Sequence, residues 1–254
     1  MLILLPPSEG KAVPENGAPL ALETLVLPEL TDRRSQLLDR LVKLCGGSPG
    51  TALKRLGLSA GQAEELERNA MLRSAPTARA DAVYTGVLYQ RLRPGELPAR
   101  ARTRADTHVR IASALWGVLA PGDQIPAYRM AIGSKLPRLG GLAAWWRPAL
   151  TAALPDEGLV VDLRSGAYAA MWRPRGVTFV SVRAFAEAPD GRRTPISHMA
   201  KAARGDVARA LLRAPRLAQD PEAVAGVVAG TGARVELTGK GKAWTLDVIE
   251  AAAL

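Results

Sequence analysis

The sequence of 254 residues contains one cysteine and two histidines. Because a disulfide needs two thiols, Cys45 cannot form one within the chain, and a reducing cytoplasm is the expected compartment. His108 and His198 are too few for a dedicated metal site, and no cysteine or histidine spacing is typical of zinc or iron–sulfur ligation. The sequence therefore predicts neither a metal nor a cofactor.

The chain also lacks a long apolar run. Its opening segment, Met-Leu-Ile-Leu-Leu, ends at Pro6-Pro7, has no basic flank and is too short for a signal peptide or a membrane span. We expect residues 2–5 to form a buried strand, and we expect no membrane partner.

Acidic residues are scarce relative to basic ones. The chain has 34 Lys and Arg against 24 Asp and Glu, which gives a formal net charge of +10. Such an excess favours contact with a polyanion such as nucleic acid, with nucleotides or with an anionic surface. The alternative is the codon usage of a GC-rich genome, which explains arginine in place of lysine but does not explain the shortage of acids.

The composition, 48% hydrophobic and 23% charged, is that of an ordinary folded domain, and no repeat, low-complexity tract or linker interrupts it. We predict an α/β fold of the mixed α+β kind, as a single compact domain over residues 1–254 with a central mixed sheet flanked by helices. The predicted strands are residues 2–5, a strand from Val109, and residues 159–163, 177–182, 234–238 and 242–249. The predicted helices are one capped by Thr31, one over residues 142–154, one opened by Thr194-Pro195 and one opened by Asp220-Pro221.

The segment of residues 196–207 predicts a helix with a cationic face. At about 100° per residue, Lys201, Arg204 and Gly205 lie on adjacent rows with His198 beside them, opposite an apolar row. A glycine inside a helix costs about 1 kcal/mol relative to alanine, so Gly205 indicates close approach by a backbone or a ligand. The alternative is a solvated surface helix with a packing glycine.

Residues 48–70 predict two short helices around a tight turn. Ser48-Pro49 begins the first helix, Gly57 turns the chain, and Ser59 with Gln62 forms a capping box for the second helix. This pattern resembles a helix-hairpin-helix, which holds DNA phosphates with backbone N–H groups. An ordinary helical corner is the alternative interpretation.

Several segments match the motifs of one known family in the correct order. Ser8 and Lys11 lie where that family has a Ser-Pro-Ala-Lys loop, with Glu9-Gly10 in place of Pro-Ala. Tyr84-Thr85-Gly86 is similar to its Asp-Val-Tyr-x-Gly-Leu motif. The strongest match begins with Ala-Leu-Trp-Gly-Val-Leu at residues 114–119 and continues through Asp123 to Tyr128-Arg129, although Ala120 and Ala131 replace a common Arg and Glu of the family.

Two later segments complete the match. Asp162, Ser165 and Tyr168 are similar to an Asn-Leu-Ala-Ser-x-x-Tyr segment, with Asp162 at the Asn position. Residues 200–209 are similar to Ala-Lys-x-Ala-Arg-Gly-x-x-x-Arg. Together these segments resemble the YaaA family, bacterial proteins linked to peroxide stress, from the first strand to the final hairpin.

The resemblance implies a positively charged cleft, a helix-hairpin-helix element, and binding of duplex or single-stranded DNA with low sequence selectivity in protection from hydrogen peroxide. Each phosphate neutralised by a cation would add affinity that falls with salt. The candidate phosphate contacts are Lys11, Arg110, Arg129, Lys201, Arg204 and Arg209. Other candidate cleft residues are Ser8, Tyr84, Thr85, Trp116, Tyr168 and His198. Tyr128 and Trp116 are also candidates for stacking on an unpaired base, with buried packing as the alternative.

A second hypothesis is an enzyme that acts on a nucleotide, a nucleoside or another phosphorylated small molecule in the same cleft. Asp123 or Asp162 would serve as base or nucleophile toward a glycosidic bond, with Tyr128 and Lys201 as further catalytic candidates. The structural alternative is that Asp123 pairs with Arg129 and that Asp162 caps a turn. No Ser-His-Asp order and no phosphate-binding glycine run indicates a specific reaction.

Overall fold

The structure is a computed structural model that describes residues 1–188, 192–195 and 199–251. His198, one of the candidate cleft residues, lies outside the described residues, as do the two residues before it.

A mixed sheet of eight strands forms the centre of the described chain. The strands of the chain are β1 (Leu2–Leu5), β2 (Ala78–Arg79), β3 (Val109–Ser113), β4 (Gly117–Leu119), β5 (Gln124–Ile125), β6 (Leu159–Asp162), β7 (Thr178–Glu187), β8 (Arg193–Pro195), β9 (Arg234–Lys240) and β10 (Ala243–Ala251). Their order in the large sheet is β4-β3-β1-β6-β7-β10-β9, and β8 pairs with β7. The five strands from β3 to β10 in this order are parallel to one another, whereas β4, β8 and β9 pair antiparallel. β2 and β5 form a separate ladder.

Helices surround this sheet, so the predicted mixed α/β architecture is confirmed. They are α1 (Thr31–Cys45), α2 (Pro49–Leu56), α3 (Glu64–Ala70), α4 (Ala80–Val83), α5 (Val87–Leu92), α6 (Ala99–His108), α7 (Leu142–Ala153), α8 (Gly166–Ala169), α9 (Met199–Arg213) and α10 (Pro221–Ala229). Their apolar faces and the sheet share one continuous hydrophobic core.

The central strand β1 is buried over its whole length. It has a parallel neighbour on each side, β3 and β6, and helices cover the sheet. An unbroken apolar run is typical of a strand in this position, which explains why the opening segment carries no alternating polar residues.

The connections that follow the two central strands β1 and β6 lead to opposite sides of the sheet. From β1 the chain goes to β3 on one side, and from β6 it goes to β7 on the other. Neighbouring parallel strands with diverging connections leave a crevice at their carboxyl ends, and α/β proteins bind ligands in such crevices. We call this end of β1, β3 and β6 the carboxyl edge.

The predicted cap at Thr31 is wrong. Thr31 is the first residue of α1, no side chain caps the helix, and the Thr31 hydroxyl is buried without a hydrogen-bond partner among the described residues. A 3-10 turn over Pro28–Leu30 leads directly into the helix, and the N–H of Thr31 donates to the carbonyl of Pro28. The preceding turn therefore replaces the expected side-chain cap.

The predicted helix opening at Thr194-Pro195 is also wrong, because Arg193–Pro195 forms β8 and α9 begins at Met199. A proline fits the first turn of a helix and the edge of a sheet equally well, since it has no N–H to donate in either place. Within the described residues β8 pairs with β7 alone and so provides such an edge.

The helical corner predicted for residues 48–70 is present as α2 and α3, with the capping box of Ser59 and Gln62 between them. Gly57 takes the left-handed conformation that the turn requires, with φ of 70°. The N–H groups of Gly57 and Leu58 donate to the carbonyl of Leu53, and the N–H of Ser59 donates to Gln62. These three donors serve the corner itself, and phosphate binding by the hairpin stays a prediction.

Among the described residues, no helix combines the length and the apolar character that crossing a membrane requires.

Candidate functional site

The loop after β1 lies against the segment that precedes α5, and this contact assembles the first part of the site. Lys11 and Tyr84 form an isolated bridge, and the N–H of Thr85 donates to the carbonyl of Gly10 at 3.1 Å. Gly86 has φ of 100°, and a Cβ there would lie 2.8 Å from the Ser8 hydroxyl oxygen. Glycine therefore allows the two loops to meet, which brings Ser8, Lys11, Tyr84 and Thr85 together.

The Lys11 amine is held at the carboxyl edge by carbonyl groups and aromatic rings. Its Nζ donates to the carbonyl of Ser8 at 2.8 Å, and it lies 4.4 Å from the ring centre of Tyr128 and 5.5 Å from that of Tyr84. Burial lowers the pKa of Lys11 to about 8; Glu9 partly opposes this effect, and Arg129 adds to it. A larger fraction of this amine than of an ordinary lysine amine is therefore neutral near physiological pH.

A chain of hydroxyl groups runs beneath Lys11. The hydroxyl oxygens of Tyr84 and Tyr128 are 2.8 Å apart, and those of Tyr128 and Ser113 are 2.7 Å apart. Ser113 also accepts the N–H of Trp116 at 3.0 Å. Burial raises the pKa of both tyrosines, so the phenols stay protonated and act as hydrogen-bond donors at neutral pH.

Arg129 faces Lys11 across Glu9. The Arg129 guanidinium donates to the Glu9 carbonyl at 3.1 Å and forms an ion pair of 3.2 Å with the Glu9 carboxylate, while 24% of its side chain stays exposed. The buried Asn69 of α3 fixes the backbone of Arg129, with hydrogen bonds of 2.8 Å and 2.9 Å to its carbonyl and N–H. The helical corner thus positions a cation of the site.

Tyr168 of α8 borders the same site. Burial raises the pKa of its phenol, and Tyr128 and Glu9 act on it in the same direction, whereas Arg129 opposes them. Its side chain is buried, and its phenol is therefore protonated at neutral pH.

Asp162, at the end of β6, is engaged by a neighbouring arginine. Its carboxylate accepts bonds of 2.8 Å and 2.9 Å from the Arg164 guanidinium and one of 3.0 Å from the Arg164 N–H. The side chains are only 6% and 2% exposed. The predicted turn cap at Asp162 is confirmed, and the buried arginine that completes it was not predicted.

Arg204 lies on α9 beside this pair. Burial lowers its pKa, and the negative charge of Asp162 partly opposes the shift. Its Nε has no hydrogen-bond partner among the described residues. A Cβ at Gly205 would lie 2.4 Å from the carbonyl of Leu88, so the close approach indicated by this glycine is made by the backbone of α5. One helical turn before Gly205 lies Lys201, whose side chain is exposed.

One alternative was that Asp123 pairs with Arg129, and this alternative is wrong. The Asp123 carboxylate accepts the N–H of Ala120 at 2.9 Å and that of Val26 at 3.1 Å, which joins two loops. Burial raises the pKa of Asp123, and these two hydrogen bonds oppose the shift. Arg129 pairs with Glu9 because Glu9 lies on the loop that it faces.

Two of the predicted phosphate contacts lie outside the site. The Arg110 guanidinium donates to the carbonyls of Asp106, Thr107 and Val109 near the start of β3, at the opposite end of the sheet. Arg209 donates to the carbonyl of Leu92 at 2.8 Å, at the C-terminal end of α5.

Trp116 and Tyr128 are both buried, so neither ring has a free face for an unpaired base, and the packing alternative is confirmed. Their rings meet edge to face at 5.8 Å. Trp116 supports the site from below.

Sequence reasoning missed Asn69, Ser113 and Arg164, all of which are buried polar residues that orient the site. Arg164 had a usable signal, since it stands two residues after Asp162 in a strand-to-turn segment. Asn69 had none, because its partner Arg129 is 60 positions away, and the bond from Ser113 to the Tyr128 hydroxyl joins different segments.

A large cavity of about 1570 Å³ lies elsewhere, between α9, α10 and the hairpin of β9 and β10. None of Lys11, Arg129 or Tyr128 lines it, whereas Arg209 does. The partly buried Lys11 amine and the phenols thus lie outside this cavity, at the carboxyl edge.

These features define an α/β protein with a candidate ligand site at the divergence point of its parallel strands. A family model described as "Peroxide stress protein YaaA" matches residues 1–228. The chain belongs to this family. A UPF0246 protein of Streptomyces coelicolor is 40% identical over 255 residues, with 98% of each chain covered. A UPF0246 protein of Corynebacterium efficiens is 41% identical over 254 residues, covering 98% of this chain and all of its own.

Proposed function

We propose that this protein binds DNA, duplex or single-stranded, with low sequence selectivity in the cytoplasm, as part of a response to hydrogen peroxide. The family's link to peroxide stress and the net charge of +10 support the proposal. The proposed phosphate contacts are Lys11, Arg129, Lys201 and Arg204.

One observation carries the proposal: Lys11 and Arg129, which are 118 positions apart (129 − 11), meet around Glu9 at the carboxyl edge. Lys11 is on the loop after β1, and Arg129 is on the segment after β5. Both cations donate to the Glu9 carbonyl, and Arg129 also pairs with the Glu9 carboxylate. A phosphate oxygen that replaced this carboxylate oxygen would accept from Arg129 with the Lys11 amine close by.

Glu9 would then act as a competitor. Its side chain is 57% exposed, so it can leave Arg129 at little cost in desolvation. Each phosphate that the cations neutralise would release counterions from DNA, and the affinity would fall log-linearly with salt.

The proposal is tested by measuring DNA affinity from about 50 to 200 mM salt, the range over which such contacts are strongly screened. Replacing both Lys201 and Arg204 by Ala should weaken binding and reduce the magnitude of the slope of log K against log salt by about 1 to 2. Equal affinity and equal slope in the double variant would contradict their assignment.

Glu9→Gln gives the opposite expectation. Removing the competing carboxylate should tighten binding at low salt by about threefold to tenfold, since it removes a like charge from the phosphate position. Glu157→Gln is the matched control, because it removes the same charge from an exposed position just before β6, at the other end of the sheet. An equal gain in DNA affinity in both variants would show a general effect of net charge and would contradict a site at Glu9.

A second candidate function is an enzyme for a nucleotide-like small molecule, and the partly buried Lys11 amine, with its lowered pKa, is the observation that favours it. The two carboxylates first considered for it are engaged, Asp123 by backbone N–H groups and Asp162 by Arg164. Lys11 is therefore the better candidate for the reacting group. A rise in melting temperature with a nucleotide would support this function by mass action.

A further inference from the structure

We infer that Lys11 forms an imine with an aldehyde that neighbours a phosphate group. The proposed function supplies the phosphate contact, and the amine supplies a chemical step that DNA binding alone does not need. The shared chemistry is found in a small phosphorylated aldehyde and in the ring-opened sugar of an abasic site in DNA.

The surroundings of the Lys11 amine suit a nucleophile. The amine donates to two carbonyl oxygens, those of Ser8 at 2.8 Å and Glu9 at 3.5 Å. In the described part of the chain, no carboxylate lies within ion-pair distance of it, because the Glu9 carboxylate pairs with Arg129 instead. An amine held by carbonyls can lose a proton without breaking an ion pair.

Burial favours the neutral amine, which is the reactive form. Desolvation contributes most to the lowered pKa of Lys11; the charges of Glu9 and Glu65 oppose this effect, and those of Arg129 and Arg68 add to it. Desolvation combined with a cationic neighbour is the usual way in which proteins activate a lysine for imine formation. The ring faces of Tyr84 and Tyr128 act in the other direction, since they stabilise the ammonium form.

The same cations select the substrate class. Arg129 exposes about a quarter of its side chain, and Arg129 and Lys11 both donate to the Glu9 carbonyl. A phosphate in place of the Glu9 carboxylate would hold an adjacent aldehyde close to the amine. An aldehyde without a phosphate would have no such anchor.

The step needs no oxidant or reductant. The lone pair of the Lys11 nitrogen forms a C–N bond to the carbonyl carbon, and the carbonyl oxygen takes a proton to give a carbinolamine. Loss of that oxygen as water, with a second proton, forms the C=N bond. The net change is one amine plus one aldehyde giving one imine plus one water.

The experiment is reductive trapping on the full-length wild-type protein with sodium cyanoborohydride, followed by peptide mass mapping. One arm uses glyceraldehyde 3-phosphate, and the other uses an oligonucleotide with a single abasic site. We expect Lys11 to be labelled about tenfold faster than the exposed Lys43 at pH 7.5 in at least one arm, and the arm that reacts at the lower concentration identifies the source. Equal labelling of Lys11 and Lys43 in both arms would overturn the inference.

Glyceraldehyde without phosphate tests the anchor. It should label Lys11 about tenfold more slowly than its phosphorylated form, since the expected charge-assisted contact is lost. Equal rates at Lys11 would overturn the role assigned to the phosphate. Mapping on the wild type needs no variant, so these results do not depend on the folding of a mutant.

Lys11→Arg keeps a positive charge but cannot form an imine under these conditions, so trapping on this variant should fall to the background of the exposed lysines. Affinity for an intact duplex is measured on the wild type, and this measurement separates the inference from the proposed DNA binding. Trapping without duplex binding would contradict only the proposed DNA function, and duplex binding without trapping would contradict only the imine.

Discussion

The Asn69 carboxamide is hydrogen-bonded to both backbone groups of Arg129, across a separation of 60 residues. Asn69 lies in α3, and Arg129 lies on the segment that faces the loop after β1. The second helix of the corner therefore fixes the position of an arginine of the candidate site, whether or not the hairpin itself touches a ligand.

Replacing Asn69 by Ala should lower the free energy of unfolding by about 2 to 4 kcal/mol, because it leaves a buried N–H and a buried carbonyl without partners. Urea denaturation followed by circular dichroism measures the change. Glu67→Ala, at an exposed position of the same helix, should change stability by less than about 0.5 kcal/mol. A similar small effect at Asn69 would mean that the segment of Arg129 is held by other contacts.

Asp162 and Arg164 form a buried ion pair. A structural role and a catalytic role of Asp162 predict different effects of its mutation on stability. If Asp162 serves the fold, Asp162→Asn should lower the free energy of unfolding by about 3 kcal/mol, since it leaves the Arg164 charge buried without a partner. The double variant Asp162→Leu with Arg164→Met should recover part of this loss. Thermal and urea unfolding measure both. A stable Asp162→Asn variant would restore Asp162 as a catalytic candidate.

Regular elements were predictable because their signals are local. The spacing of Leu37, Leu38, Leu41, Leu44 and Cys45 predicts α1, and all five side chains are buried. The apolar run of β1 and the Asp220-Pro221 start of α10 were predicted for the same reason, and the Asp220 side chain accepts the N–H of Ala223. Both errors at element boundaries, Thr31 and Pro195, come from residues whose local preference fits two structures.

The site was only partly predictable, because its contacts join distant segments. Lys11, Tyr84 and Tyr128 were candidates from motifs, yet the hydroxyl chain requires the pairing of residues 44 positions apart. One alternative paired Arg129 with Asp123, six positions away, whereas its partner is Glu9, 120 positions away. Sequence patterns show which side chains are chemically suitable, whereas the sheet topology decides which of them meet.

The lowered pKa of Lys11 predicts a pH-dependent cost to folding. The folded pKa is about 8, below the value of about 10.4 for an unperturbed lysine. Between these pH values the unfolded chain binds a proton that the folded chain does not, so this group makes stability rise with pH across the window.

Lys11→Met should therefore stabilise the protein by about 1 to 3 kcal/mol at pH 7, and the gain should shrink by about 1 to 2 kcal/mol at pH 9.5. Urea unfolding of the wild type and the variant at both pH values measures the difference in their free energies of unfolding. The contributions of groups that both proteins share cancel in this difference. A gain that is constant or larger at pH 9.5 would show that the folded pKa of Lys11 is not lowered.

Gly205 and Gly226 offer a matched pair of helical glycines. A Cβ at Gly205 in α9 would lie 2.4 Å from the carbonyl oxygen of Leu88 and 2.7 Å from the Cβ of Arg91, whereas a Cβ at Gly226 in α10 meets nothing within 4 Å. Gly205→Ala should therefore push α9 away from α5 and lower the free energy of unfolding by about 2 kcal/mol.

Gly226→Ala should raise the free energy of unfolding by about 0.5 to 1 kcal/mol, because alanine restricts the unfolded chain and favours the helix. Urea unfolding of both variants measures whether each substitution raises or lowers the free energy of unfolding. Because Arg204 and Lys201 lie on the same helix as Gly205, the shift of α9 should also weaken DNA binding in Gly205→Ala and leave it unchanged in Gly226→Ala. Two stabilising substitutions would mean that α9 does not contact the backbone of α5 at Gly205.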